Sequence, residues 1–326
     1  NETVIGPPIH GLYLPEERQS LAAVSNSNYG YFAGGDGPPM VCTIDRIDFS
    51  SETVAVPPAP APNQLTKKRY GIASVFSPNY GYFAGGFGGP YLNTIDRIDF
   101  SSETTSAPGN NLTQARGFFG GVSSPNYGYV GGGIIPSLAR VATIDRIDFS
   151  TETVAGPASH GANISQNLAV QTAVSNSYYG YFAGGATTLV SNTIDRIDFV
   201  TETVVTPGTY QLTQARDSLA GISGGKSINA RGGGKPRGSA HGKKLTQYGY
   251  FGGGSHPTPS LFTSIDRLDV SNETVVELTN SNFTEGRYYS EGLFSSHYGY
   301  FCGGGDPVSG LSGSNITRID FSNEVT

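Results

Sequence analysis

The sequence predicts an all-β fold, a six-bladed β-propeller with four antiparallel strands per blade and a ring closed by the N-terminal strand. Three observations predict it. First, a two-part phrase, YGYFAGG followed by TIDRIDFSSETV in its fullest form, recurs six times, with its first half starting at Tyr29, Tyr80, Tyr127, Tyr179, Tyr248 and Tyr298. The spacings of 51, 47, 52, 69 and 50 residues mark one supersecondary unit copied along the chain. Second, each unit divides into four short β-rich runs. Such a unit cannot bury both of its faces alone, but a ring of units buries each against its neighbours. Third, Asn1-Glu-Thr-Val4 repeats the phrase that ends every blade, so residues 1–5 can supply the last strand of blade six. That closure leaves no open sheet edge between the first and last units.

The second unit shows the elements in order. Tyr70–Phe76 is an apolar run after Lys67, Lys68 and Arg69, and Ser77-Pro78-Asn79 is a turn. Tyr80–Ala84 follows and ends in Gly85-Gly86. After a variable loop comes Thr94–Phe100, then Ser101-Ser102, then the short strand Glu103–Ser106 before Pro108-Gly109. Each run is bounded by Gly, Pro, Ser or Asn, and none carries a sustained 3.6-residue apolar stripe. On this pattern the chain is a single domain over 1–326, with blades near 18–56, 69–107, 116–155, 167–206, 216–277 and 287–326. An open β-solenoid is the competing repeat architecture, but its coils are shorter and lack the four-strand pattern.

Composition narrows the function classes. The 46 glycines fall mostly after aromatic runs, where they mark turns rather than disorder, and Tyr and Phe supply the core in the absence of Trp. A net charge of −6 argues against a nucleic-acid-binding protein. No run approaches 18 apolar residues, so no membrane span is expected. Two cysteines, Cys42 and Cys302, exclude a disulfide framework and a cysteine-based zinc site. They fall in blades that closure makes neighbours, which leaves a bridge between them open. The five histidines have no metal-ligand spacing, so neither a metal nor a cofactor is expected. The chain begins at Asn1, without a visible signal peptide, and reads as processed, excised or incompletely represented.

The order Arg, apolar run, Tyr-x-x-x-Gly-Gly, variable loop, strand, Glu-Thr-Val resembles the kelch repeat. The matching residues are Arg18, Arg69, Arg116, Arg216 and Arg287 and the glycine pairs from Gly34-Gly35 to Gly303-Gly304. Where kelch repeats carry Trp, this chain has Val54, Val154, Val204 or Val275, and the fourth unit offers Ser165-Gln166-Asn167 in place of its Arg. The resemblance implies a divergent kelch-like propeller without the usual partner-binding roles. The wording of the phrase is also similar to repetitive proteins of marine bacteriophages, especially cyanophages. That likeness implies a virion or tail-fibre component and a location outside the cell or on a particle surface.

The Asp-Arg-Ile-Asp tetrad contributes Asp45, Arg46, Asp48, Asp96, Arg97, Asp99, Asp145, Arg146, Asp148, Asp195, Arg196 and Asp198, with Asp266, Arg267 and Asp269 in the variant containing Leu268. Paired carboxylates could serve acid–base catalysis or bind calcium. Copies on six different blades cannot converge on one site, however, and the Asp-x-Asp-x-Asp-Gly calcium loop is absent. Alternation sets Arg46 and Asp48 on one face of the strand and Asp45, Ile47 and Phe49 on the other. The expected role is therefore an Arg–Asp ladder between blades. Ala220–Ser227 fits a loose phosphate-loop pattern, but a blade provides no helix to follow it.

Function is then expected where the copies differ. The long fourth spacing places a Gly-rich insertion at 223–247 carrying Lys226, Arg231, Lys235, Arg237, Lys243 and Lys244 and no acid. It reads as a solvated loop or as a contact for an anionic partner. The loops between second and third strands, all on one side of the ring, carry Phe87, Tyr91, Ile134, Ile135, Leu189 and Phe262, side chains suited to sugar stacking or protein contact. The expected function is a non-enzymatic structural or adhesion module acting on other protein subunits or surface glycans, within a homo-oligomer or larger assembly. A lectin-like glycan-binding propeller is the alternative, and a carbohydrate-active or oxidase enzyme a remote one.

Overall fold

The structure is a computed structural model and describes residues 4–5, 12–55, 63–224, 248–256, 260–279, 281–306 and 311–321. Six four-stranded antiparallel sheets form a six-bladed propeller. In blade 1 the strands are Ala22–Ser25, Tyr29–Ala33, Ile44–Asp48 and Thr53–Ala55. Blade 6 is completed from the other end of the chain. Val4–Ile5 pairs antiparallel with Ile316–Asp320, Val4 opposite Ile319 and Ile5 opposite Arg318. Asn323-Glu-Val-Thr326, a similar phrase at the other end of the chain and so an alternative for the same place, lies outside the described residues.

The first strands pack around a central channel and the fourth strands form the outer rim. The apolar core is six clusters, one at each junction between blades. The cluster between blades 1 and 2 joins Val24, Tyr31 and Ile44 to Leu65, Ile72, Phe83 and Ile98. A Tyr–Phe stack crosses most junctions, as Phe49 on Tyr300 and Tyr82 on Phe149, with ring centroids 5.5 and 5.3 Å apart. Blade 5 has Val270 in the Phe position. At that junction Tyr210, from the preceding connection, meets Tyr181 edge-on at 6.4 Å.

The phrase itself distributes three kinds of polar contact. In blades 1, 2, 3 and 5 the Arg before the first strand is fully buried and pairs with the first Asp of its own blade's tetrad. Arg69 meets Asp96 at 2.9 Å, Arg116 meets Asp145 at 3.2 Å, Arg216 meets Asp266 at 2.7 Å, and Arg18 pairs with Asp45. The backbone of the same Arg joins the blades. Gly35 N–H donates to the Arg69 carbonyl at 3.0 Å, and a Cβ on Gly34 (φ +63°) would lie 2.6 Å from that oxygen. The glycine pair is therefore set by a close backbone approach. The same bond in blade 3, Gly133 N–H to the Leu168 carbonyl at 2.8 Å, shows that Leu168 takes the place of the missing Arg. Ser165, expected near that place, instead donates to Asp195 through its amide and hydroxyl.

The Arg–Asp ladder expected between blades is replaced by an Arg–Glu one. Arg46, Arg97, Arg146, Arg196 and Arg318 each reach the Glu of the next blade's third turn, namely Glu103, Glu152, Glu202, Glu273 and Glu52. Each of these Glu residues has φ between +51° and +57°. Tyr31, Tyr82, Tyr129 and Tyr300 donate their hydroxyls to the same carboxylates. The last Asp of the tetrad does something else. Asp48, Asp99 and Asp148 accept from the next Ser's amide and hydroxyl, which closes the turn and holds each carboxyl below its ordinary range. Asp198 closes its turn through the Val200 and Thr201 amides, and Asp269 accepts from the Ser271 amide. Arg267 lies over the Tyr248 ring at 4.4 Å.

The ladder pairs are a third or less exposed, so each one alone is worth little. Glu103→Gln should cost about 1 kcal/mol in denaturant unfolding. A loss above 3 kcal/mol would show that the ladder, rather than the apolar junctions, holds the ring.

Candidate functional site: the loop face and channel mouth

The first strands start at the ring face that carries the second-to-third-strand loops, and the residue just before each first strand's apolar lead-in has a left-handed backbone. Ser20, Gly71, Phe118, Val170, Ser218 and Tyr289 have φ between +53° and +62°. Each N–H donates to the carbonyl of the equivalent residue one blade back. The bonds run Gly71 to Ser20, Phe118 to Gly71, Val170 to Phe118, Ser218 to Val170, Tyr289 to Ser218 and Ser20 to Tyr289, all 2.7–2.8 Å. They form a closed ring of six hydrogen bonds around the channel mouth. A β-branched residue such as Val170 rarely adopts this conformation, and here the ring holds it there.

The ring gathers an aromatic track. Tyr91 packs edge-on to Phe87 at 5.0 Å, and Phe87 meets Tyr70 at 5.6 Å. Tyr70 meets Phe118 at 5.6 Å, Phe118 meets Tyr289 at 6.2 Å, and Tyr289 meets Tyr288 at 4.8 Å. All six rings are half-buried. The track runs from the loop of blade 2, past the mouth, to blade 6.

Of the loop residues expected to project, only Leu189 is well exposed, at 72 %. Phe87 and Tyr91 are seated in the track. Phe262 lies against the Arg216 guanidinium at 4.9 Å and is half-buried, so it helps cover the Arg216–Asp266 pair. Ile134 bridges Gly117 and Arg140 through its backbone, and Ile135 closes its own loop by bonds to Ala139 and Leu138. The exposed apolar side chain of that loop is Leu138, also at 72 %. It stands over an open groove shared with Ser165, Asn167 and Thr187 of the neighbouring blade.

The basic residues Lys226, Arg231, Lys235, Arg237, Lys243 and Lys244 lie outside the described residues. Their segment joins Gly224 to Tyr248, a register pair at the opposite end of the strands from the aromatic track. Ala220–Gly224, the start of the phosphate-loop-like pattern, is the first strand of blade 5. Cys42 and Cys302 are both free thiols and occupy different junctions. Cys302 is buried between blades 6 and 1, whereas Cys42 packs between blades 1 and 2 and reaches the Gln64 side chain.

Below the mouth the channel is narrow and mostly apolar. The next positions inward are Leu21, Ile72, Phe119, Gln171, Leu219 and Ser290, followed by Ala22, Ala73, Gly120, Thr172, Ala220 and Glu291. Blades 4 and 6 alone are polar at both levels. Among the described residues, Glu291 is the one that lines both the cavity at the mouth and the cavity at the waist, and the only charged one on either wall. Burial pushes its carboxyl up to about 8. At the far end, Phe76 N–H bonds the Ser123 hydroxyl at 2.9 Å, Ser123 N–H the Ser175 hydroxyl at 3.4 Å, and Ser175 N–H the Ser223 hydroxyl at 2.9 Å.

Among the described residues no three His, Cys, Asp or Glu side chains converge as a metal site. Sequence reasoning missed Tyr70, Phe118, Tyr288 and Tyr289 because it sought function in the loops after the glycine pair. The available signal was the aromatic residue one or two places after Arg69, Arg116 and Arg287. No protein-family model and no curated protein sequence matches the chain.

Proposed function

We propose that this chain is a non-enzymatic binding module of an extracellular or virion surface, whose contact surface is the loop face of the propeller. The aromatic track carries this reading. Six adjacent rings, four of them tyrosines, offer apolar faces beside hydroxyl groups, the combination that stacks against sugar rings while bonding their hydroxyls. A closed hydrogen-bonded ring beneath part of the track holds it rigid, so little ordering cost is left for the moment of binding. The likeness of the repeated phrase to phage repeat proteins supports a particle-surface setting. The ligand class that suits the track best is surface glycan, with further copies of the same protein as the assembly partner.

The test is binding of the purified chain to a glycan array, repeated with Phe87→Ala and Tyr288→Ala. Neither residue is itself a member of the φ-positive ring. Each is expected to weaken binding by roughly 30-fold, as removal of an aromatic hot spot does. Binding that survives both substitutions, or no binding to any glycan, would sink the proposal.

A further inference from the structure

We propose that the groove between the loops of blades 3 and 4 binds the anionic group of an acidic sugar, a carboxylate or a sulfate ester, on the guanidinium of Arg140. The sugar class rests on the glycan reading, whereas the charge is read from the groove alone. Among the described arginines, Arg140 alone has no ion pair, side-chain hydrogen bond or ring contact. It lines an open groove of about 630 Å³, within the size range of small-ligand sites. Its Nε is buried without a hydrogen-bond partner, so one edge of the guanidinium is already out of water. Among the described residues no acid lines this groove. The neighbouring blade contributes Gln166, Asn167, Thr187 and Thr188, whose side chains make no hydrogen bond within the described chain, while Ser165 is engaged with Asp195.

A partly desolvated, unpaired cation gains more from an arriving anion than a cation free in water. The chemistry selects among anions. A planar guanidinium offers parallel N–H donors to two oxygens of one carboxylate or sulfate. One cation balances one negative charge, which suits these groups better than a phosphate monoester carrying about −1.5 to −2 at pH 7. The neutral amides and hydroxyls along the groove match the hydroxyls of a sugar ring, and Leu138 adds an apolar face. Leu138 is 72 % exposed and holds a left-handed backbone at φ +64°, which bulky residues rarely adopt. Outliers of this kind gather at binding sites. The other blades point the same way. The backbone bridge between Ile134 and Arg140 has counterparts between Phe87 and Tyr91 and between Ala186 and Val190. Tyr91 and Val190 therefore hold the place of Arg140 in the adjacent blades, so the fold needs no cation there. A chain of net charge −6 does not draw anions over its whole surface, which makes a local site the means of binding one.

The full chain is titrated calorimetrically with glucuronate, with glucose 6-sulfate, and with glucose as the neutral control. At least one charged sugar is expected to bind at least 10-fold more tightly than glucose. A preference for glucuronate assigns a carboxylate, and a preference for glucose 6-sulfate a sulfate ester. Arg140→Gln should abolish the advantage and leave Tm unchanged, because the side chain bonds nothing within the described chain. Asn167→Glu reaches the same charge by another route. Blade 1 has Glu17 directly before Arg18, as Asn167 stands directly before Leu168, so the fold accepts an acid at that place. The new carboxylate lines the groove with Arg140 and should also abolish the advantage. Failure of both charged sugars to bind, equal binding of all three, or an advantage that survives Arg140→Gln overturns the proposal. A fall in Tm on Arg140→Gln would mean that the guanidinium has a structural partner, which overturns it as well. The two readings fail separately. Neutral glycans that bind through Phe87 and Tyr288 with no gain from a charged group overturn this inference and leave the track. An Arg140-dependent preference that ignores Phe87→Ala and Tyr288→Ala supports this inference and removes the track.

Discussion

Asp96→Ala is expected to destabilise the propeller by about 3–5 kcal/mol, the largest effect of any single polar substitution on this surface-poor junction. Arg69 and Asp96 are both fully buried. The guanidinium also donates to the Thr94 hydroxyl at 2.7 Å and the Phe83 carbonyl at 3.0 Å, while the carboxylate accepts from the Thr66 amide at 2.9 Å. Removing the acid leaves a buried cation with no counter-charge. Removing both partners is a different matter, because two charges no longer need to leave water. The protein already contains each half of that experiment. Blade 4 keeps Asp195 without the Arg, satisfied by Ser165 and Thr206. Blade 6 keeps Arg287 without the Asp, bonded instead to Thr317 at 2.8 Å. The double variant Arg69→Leu with Asp96→Thr should therefore recover most of the loss. Denaturant midpoints at unchanged m-value measure both effects. A cost for Asp96→Ala below 1 kcal/mol, or a double variant worse than the single, would contradict the assignment.

The second large effect is a pH dependence centred on Glu291. Its carboxyl titrates near 4.5 in an ordinary setting and near 8 in the folded channel. The folded state thus binds the proton more tightly than the unfolded one. The stabilisation is fully present below about pH 4.5, is lost progressively as pH rises, and is gone above about pH 8. The amplitude is on the order of a few kcal/mol, reduced by whatever water enters the channel. The group facing Glu291 across its strand pair is Cys302, whose thiol burial pushes up, so it stays neutral through this window. Arg287 and Arg18 lie beyond it, and the equivalent positions of the other first strands, Ala22, Ala73, Gly120, Thr172 and Ala220, carry no charge. Wild type should lose stability between pH 5 and 8 relative to Glu291→Gln. Parallel pH profiles for the two proteins would show that the carboxyl is not held in its neutral form.

Much of the fold was legible because repetition turns weak local signals into strong ones. One Tyr-Gly-Tyr run could be many things, but six at a common period, each followed by Gly-Gly and a strand of alternating pattern, admit one architecture. The closure by residues 4–5 was legible for the same reason, as a fragment of the phrase displaced to the chain start. The candidate site was legible only in part. Phe87 and Tyr91 stood out as aromatic residues in a variable loop. Tyr70, Phe118 and Tyr289 did not, because each follows an Arg that looks like scaffold. Phe262 looked free and is instead committed to Arg216, since an aromatic face near a buried guanidinium is covered by it.

What the sequence determined by itself is the list of units, their four strands and the face on which the copies differ, all of which depend on local periodicity and turn chemistry. Only the tertiary structure decided the partners. It sent the tetrad Arg to the next blade's Glu rather than to an Asp, because register and the left-handed turn place that carboxylate across the junction. It also brought residues 20, 71, 118, 170, 218 and 289 into one hydrogen-bonded ring, and set Gln171, Ser290 and Glu291 on the wall of one cavity. Those residues are up to 269 positions apart, from Ser20 to Tyr289 in the ring. Nothing local links them, and they meet only because closing the ring turns equivalent positions in the sequence into neighbours around an axis.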